Sequence, residues 1–189
     1  MKTLYLDCGM GAAGDMLTAA LLELLPDKEE FLANLNGLGI PGVTVTSEAS
    51  AKCGIQGTHI TVRVNGEEES EDIHAHGHSH SHEHEHGHEH KHSDDGHHHH
   101  HSGMHEIEHI IEELPVSEKV KADILAVYSL IAEAESHAHG VPVTEIHFHE
   151  VGTLDAVADV TAVCMLMECL SPDQVVVSPV HVGSGHVKC

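Results

Sequence analysis

Histidines dominate one stretch of this sequence in a pattern suited to metal binding. Ten recur at every second position and five more follow consecutively from His97 to His101, so the stretch 74–101 is called the histidine tract. Alternate residues of an extended chain share a face, and imidazole suits Zn, Cu and Ni. An inert linker or purification tag is the alternative, although a tag would not normally alternate with Gly, Ser and Glu inside a chain. The alternating ligands are His74, His76, His78, His80, His82, His84, His86, His88, His90 and His92.

A second group of candidate residues surrounds a glycine-rich turn near the N-terminus. The segment from Asp7 to Asp15 reads as the end of a strand, a tight turn containing Gly11 and Gly14, and the start of a helix. Free N–H groups at such a helix start can bind a phosphate, and the two aspartates can hold a divalent ion beside it. The alternative is that Asp15 only stabilises the helix dipole. No Lys-Ser/Thr pair follows the last glycine, so this is not a Walker A loop.

The third group combines imidazoles and carboxylates around residue 150. On a strand, His147 and His149 share a face, and the chain then turns past Glu150 into a helix where Asp155 and Asp159 lie one turn apart. That helix is apolar nearly all round and should be buried, so its carboxylates need a metal or other partners. The alternative is that both aspartates only stabilise the helix N-terminus. We expect these five residues to be metal ligands.

A weaker signal lies near the end of the sequence. Gly183 and Gly185 flank Ser184, between His181 and His186. Such a turn can bind a phosphate, or it can be a turn with no ligand.

The elements that must position these residues alternate between strand and helix. We expect an α/β fold, with a small mixed sheet and helices interrupted by a disordered histidine-rich insert. Expected strands are 3–6, 43–50, 59–64, 143–149 and 174–178. Expected helices are 12–25, 28–38, 106–114, a helix that Ser117 caps and Gly140 ends, and 154–170. The division is 1–66 (α/β, glycine-rich turn), 67–103 (insert) and 104–189 (α/β, with a truncated C-terminus).

Composition excludes several classes of protein. The formal charge is −23, of which residues 67–103 supply −9, so nucleic acid and anionic membranes are not expected partners. Five cysteines without a CxxC motif argue against a disulfide framework, and no apolar run is long enough for a signal peptide or a membrane span. We expect a protein of the reducing cytoplasm.

Taken together, the motifs resemble one family: the LarC-type nickel-insertion proteins of nickel-pincer cofactor synthesis. The resemblance rests on D-x-x-x-GAAGDM, the histidine-rich insert, AEAE-x-x-x-HG, HFHEVG-x-x-D and G-x-G-x-V, and it covers essentially the whole chain. Ser136 departs from the family's usual alanine, and the family's proline-rich segment and C-terminal domain are absent. The matching residues are Asp7, Gly11–Met16, Ala132–Glu135, His139–Gly140, His147–Gly152, Asp155 and Gly183–Val187.

The resemblance implies an activity and its participants. Members insert nickel into a pyridinium bisthiocarboxylate mononucleotide by cyclometallation, a lyase-class reaction that consumes CTP with manganese or magnesium. It also implies a missing C-terminal domain as partner. From their positions in the motifs, we expect Asp7, Asp15, Glu150 and Asp155 to be catalytic. A nickel-storing metallochaperone is the alternative, although a store would not need GAAGDM or HFHEVG. A zinc hydrolase would be expected to carry an HExxH helix, which this sequence lacks.

Overall fold

The computed structural model describes residues 1–68, 103–146, 148 and 150–184, with Glu150 described in its main chain only. These residues form both helices and small sheets, which confirms the α/β class with a mixed arrangement of strands. The strands are β1 (Thr3–Leu6), β2 (Val43–Lys52), β3 (Ile55–Val64), β4 (Glu67–Glu68) and β5 (Gln174–Val177). The helices are α1 (Gly14–Leu22), α2 (Lys28–Asn36), α3 (Met104–Glu113), α4 (Glu118–His139) and α5 (Leu154–Leu170).

The strands are divided between two small sheets. β1 and β5, the first and last strands, pair in parallel, with Thr3 opposite Gln174 and Leu6 opposite Val177. β2, β3 and β4 form an antiparallel sheet in that order. The first two residues of the predicted insert, Glu67 and Glu68, therefore belong to a strand that pairs with β3.

The second and third strands form an antiparallel hairpin. Cys53 and Gly54 connect β2 to β3 with φ angles of 52° and 81°, the left-handed backbone that a tight two-residue hairpin turn requires. The buried side chains of Val45 and Ile60 fix the register, because a slip of one residue would turn both toward solvent.

α5 is the central helix of the structure. Ala158, Ala162 and Leu166 pack in one apolar cluster with α1, α2 and the hairpin, whereas Val157 and Cys164 pack in another with α3 and α4. Burial of this nearly all-apolar helix confirms what its sequence predicts. Within the described part of the chain, no helix combines the length and apolarity needed to cross a membrane.

The predicted ends of α4 are also confirmed. The Ser117 hydroxyl oxygen accepts a hydrogen bond from the Val120 N–H at 3.1 Å, and Gly140 ends the helix in the left-handed conformation with φ of 67°.

The expected strand at 143–149 is wrong. Val143–Glu145 forms a 3-10 turn, in which the Glu145 N–H donates to the Pro142 carbonyl at 2.8 Å. Pro142 holds φ near −58° and favours this turn, and none of the described strands pairs with the segment. The alternating apolar residues that resemble a strand, Ile146 and Phe148, are instead buried against helices.

Candidate functional site

Two loops meet at the carboxyl ends of β1 and β5. The Cys8 N–H donates to the Ser178 hydroxyl at 2.8 Å, and the His181 N–H donates to the Cys8 carbonyl at 3.0 Å. Carboxyl ends of parallel strands lie at the same sheet edge, which is the usual place for a binding site in α/β proteins. The glycine-rich turn after β1 and the Gly183 turn after β5, far apart in sequence, are therefore neighbours.

Both turns contain a glycine in the left-handed region. Gly11 has φ of 95° and Gly183 has φ of 75°, values that other residues rarely adopt. Asp7 is exposed, and its carboxylate accepts the Gly9 N–H at 3.0 Å, which stabilises the first turn. The Gly183 N–H donates to the His181 Nδ1 at 3.2 Å.

Helices α1 and α5 approach closely at their N-terminal turns, and Gly14 permits the approach. A Cβ added at Gly14 would lie only 2.5 Å from both the Cβ and the Oδ2 of Asp159. The backbone N–H of Asp15 also acts on the Asp159 carboxylate. A protein carboxylate thus lies at the start of α1, where the sequence allows a phosphate.

The carboxylates of Asp15, Asp155 and Asp159 act on one another electrostatically. Burial, followed by the negative charges of Asp15 and Asp155, raises the pKa of Asp159 to about 7, although the Asp15 N–H opposes the shift. Asp155 accepts a hydrogen bond from the Thr153 hydroxyl. Two of these three aspartates belong to α5 and the third to α1, so the helix contact brings together parts of the two predicted sites.

Tyr128 is a candidate site residue that lies in none of the sequence motifs. It lies on α4, is fully buried, and its hydroxyl has no hydrogen-bond partner among the described residues. Burial, then the charges of Asp155 and Asp159, raise the pKa of Tyr128. One oxygen of Asp159, Oδ1, is also buried without a partner in the described structure. Buried polar groups are normally paired, so these atoms indicate a place for a ligand or for a side chain outside the described residues.

One residue of the HFHEVG segment, Phe148, packs against Tyr128. Phe148 is fully buried and meets the Tyr128 ring edge to face, with ring centroids 5.7 Å apart and planes at 63°. His147, His149 and the Glu150 side chain lie outside the described residues. Phe148 is therefore fixed next to Tyr128, while the ligand set itself stays a prediction.

Some of the other predicted site residues lie within the described structure and some lie outside it. The histidine tract and Gly185 lie outside the described residues. Across ranges 1–68, 103–146 and 150–184, no three His, Cys, Asp or Glu side chains converge as a metal site would require. Asp7, Gly11 and Gly183 share the sheet edge, whereas Asp15, Gly14, Asp155 and Asp159 share the α1–α5 contact.

Comparison with known proteins identifies close relatives along the whole chain. A family model described as nickel insertion protein matches residues 4–189. Three relatives, each named pyridinium-3,5-bisthiocarboxylic acid mononucleotide nickel insertion protein, are 39%, 40% and 36% identical over 190, 192 and 187 residues. They come from Clostridium kluyveri, Clostridium acetobutylicum and Lactiplantibacillus plantarum. The matches cover 99–100% of this chain but 42–46% of those proteins, so the chain spans less than half of their length. No solved structure matches.

Proposed function

Because this chain belongs to the nickel insertion protein family, we propose that it takes part in inserting nickel into pyridinium-3,5-bisthiocarboxylic acid mononucleotide. One observation carries the proposal. The buried Tyr128 hydroxyl and Asp159 Oδ1 have no described partner, the charges of Asp155 and Asp159 act on Tyr128, and Phe148 of the HFHEVG segment packs against the Tyr128 ring. The relatives' printed names supply the substrate.

We place the insertion centre at His147, His149, Glu150 and Asp155, with Asp159 as a further ligand or as support for one. Two imidazoles and two carboxylates form a mixed set that nickel accepts, and a position left open would admit a sulfur of the substrate. Short connections between the turn and α5 support this grouping, since little loop closure is needed. The histidine tract gathers nickel and supplies it to the centre.

Cyclometallation requires a proton acceptor as well as a metal site. The substrate's ring carbon exchanges its proton for nickel, so a base must receive that proton. Glu150 and Asp155 are the carboxylates placed for this role in our proposal. Tyr128, buried under the influence of Asp155 and Asp159, is a candidate hydrogen-bond donor to a bound anion or to one of these carboxylates.

The sheet edge is proposed to hold the nucleotide part. The turns at Gly11 and Gly183, together with Gly185, would accept phosphate, while Asp7 at this edge would be a ligand of the manganese or magnesium ion that accompanies CTP. Gly14 serves this arrangement indirectly, because it lets α1 approach Asp159. CTP use is implied by the resemblance in sequence and is tested with the activity.

The test compares the ordered centre with the histidine tract. Insertion would be measured across a range of nickel concentrations in the longest natural form of the protein, with CTP and the pyridinium substrate. We expect His147→Ala and His149→Ala to stop insertion at every nickel concentration. Deletion of 74–101 should only raise the concentration that is needed. His59→Ala, which removes an exposed imidazole from β3, is the matched control and should behave like the unaltered protein.

Two outcomes would contradict the proposal. Rescue of both His147→Ala and His149→Ala by excess nickel would place the centre elsewhere. If the unaltered protein binds nickel but does not form the nickel–carbon product, nickel storage would become the better account of its function.

A further inference from the structure

The outer face of α3 carries only imidazoles and carboxylates. His105, Glu108, His109, Glu112 and Glu113 line one groove of about 310 Å³, with no lysine or arginine among them. The opposite face of the helix is anchored in the core, where two isoleucines, at 107 and 111, are fully buried. The groove is therefore a fixed feature of the fold.

The spacing of the two histidines suits a shared ion. Residues four apart on a helix are neighbours on one face, so His105 and His109 can present their imidazoles to the same metal. Imidazole with carboxylate is a ligand mixture that suits nickel, copper and zinc. The structural alternative is a solvated acidic face, in which His109 only pairs with Glu113 at 3.7 Å between Nδ1 and Oε1. Such an exposed pair contributes little to stability, so it does not explain why two histidines share this face.

We propose that His105 and His109 form a two-imidazole site for a divalent transition-metal ion on α3. The assignment of nickel as its natural ion rests on the proposed function. Because no third ligand is already in position among the described residues, bound water completes the coordination and the ion exchanges readily. The histidine-rich segment ends at residue 103 and α3 begins at Met104, so this is the first helical site that follows the tract. It would receive ions from the tract and hold them on the folded part of the protein.

The proposal is tested in the full chain with nickel alone as the probe. Histidines are labelled with diethyl pyrocarbonate, and the label at each residue is read by mass spectrometry. We expect labelling of His105 and His109 to fall together, roughly tenfold when free nickel is about ten times the dissociation constant. A chelator should restore it, and magnesium, which prefers oxygen ligands, should not protect either residue. The solitary His59 on β3 is the internal control and should label equally with and without nickel.

A variant separates a shared ion from independent binding. In His105→Ala, nickel should no longer protect His109 at the concentration that protects it in the unaltered chain. Protection of His109 that survives this substitution, or labelling of both residues unchanged by nickel, overturns the α3 site. These readings are independent of insertion activity. Loss of protection in a chain that still inserts nickel refutes only the α3 site, and protection in a chain that cannot insert nickel refutes only the proposed function.

Discussion

The α1–α5 contact and the outer face of α3 offer similar ligand atoms in opposite surroundings. At the contact, Asp159 is partly buried, its pKa rises to about 7, and its Oδ1 has no partner among the described residues. On α3, His109 and Glu113 are solvent-exposed, with side chains 65% and 74% accessible. Water reaches both side chains of the α3 pair, whereas the Oδ1 atom of Asp159 is buried. Burial therefore restricts the charge state of Asp159 at the contact, whereas α3 can bind and release an ion with little effect on the fold.

The largest expected effect in this comparison comes from closing the space at Gly14. Gly14→Ala would place a Cβ 2.5 Å from the Asp159 Cβ, so α1 and α5 must separate. We expect a loss of about 1–3 kcal/mol in the free energy of unfolding. Thermal melting would show it as a fall of several degrees. Gly57→Ala is the control, since its added Cβ would have its nearest neighbour at 4.0 Å, and it should change stability by less than about 0.5 kcal/mol. Equal melting temperatures for the two variants would show that the contact is loose.

A second effect should appear in the pH dependence of stability. The pKa of Asp159 is about 7 in the folded protein and ordinary, near 3.8, in the unfolded chain. The folded state therefore retains this proton more strongly, and the contribution of Asp159 to stability falls as pH rises from about 4 to about 7. Asp159→Asn cannot titrate. Its melting temperature, relative to that of the unaltered protein, should therefore increase as pH rises through this window, with a chelator present.

Glu133→Gln, which alters an exposed carboxylate on α4, is the matched control for that series. Its melting temperature should follow that of the unaltered protein at every pH. A difference between Asp159→Asn and the unaltered protein that stays constant from pH 4 to 7 would mean that Asp159 titrates normally.

The smallest effect is expected on α3. His109→Ala removes an exposed ion pair, so without metal the free energy of unfolding should change by less than about 0.5 kcal/mol. Chemical denaturation in the presence of a chelator measures this. A loss comparable to that of Gly14→Ala would show that the face supports the fold, and the contrast between the two regions would fail.

Local signals in the sequence predicted most of the elements. The end of α4 at Gly140 and the whole extent of α5 follow from a glycine in the left-handed conformation and from a continuous apolar run. The error at 143–149 arose because alternation of Ile146 and Phe148 also fits an extended segment that packs on helices. Pro142 just before it was the available warning.

The arrangement of the candidate site was only partly predictable. Asp155 and Asp159 could be identified from their one-turn spacing on a buried helix. The Gly14–Asp159 contact could not, since it depends on how α1 and α5 meet in space. Tyr128 falls within the helix predicted between Ser117 and Gly140, and the signal that could have singled it out was its hydroxyl, which requires a partner once buried.

Because β1 pairs with β5, the parallel sheet cannot form until the ribosome has made nearly all of the chain. Cys8 and Ser178, whose hydrogen bond joins the two loops at the sheet edge, are 170 residues apart. At about 5–20 residues per second, a ribosome needs roughly 10–30 seconds to translate that interval. The histidine tract emerges well before β5 does. In our proposal the tract binds nickel, so a newly made chain would collect metal ions while its sheet edge does not yet exist.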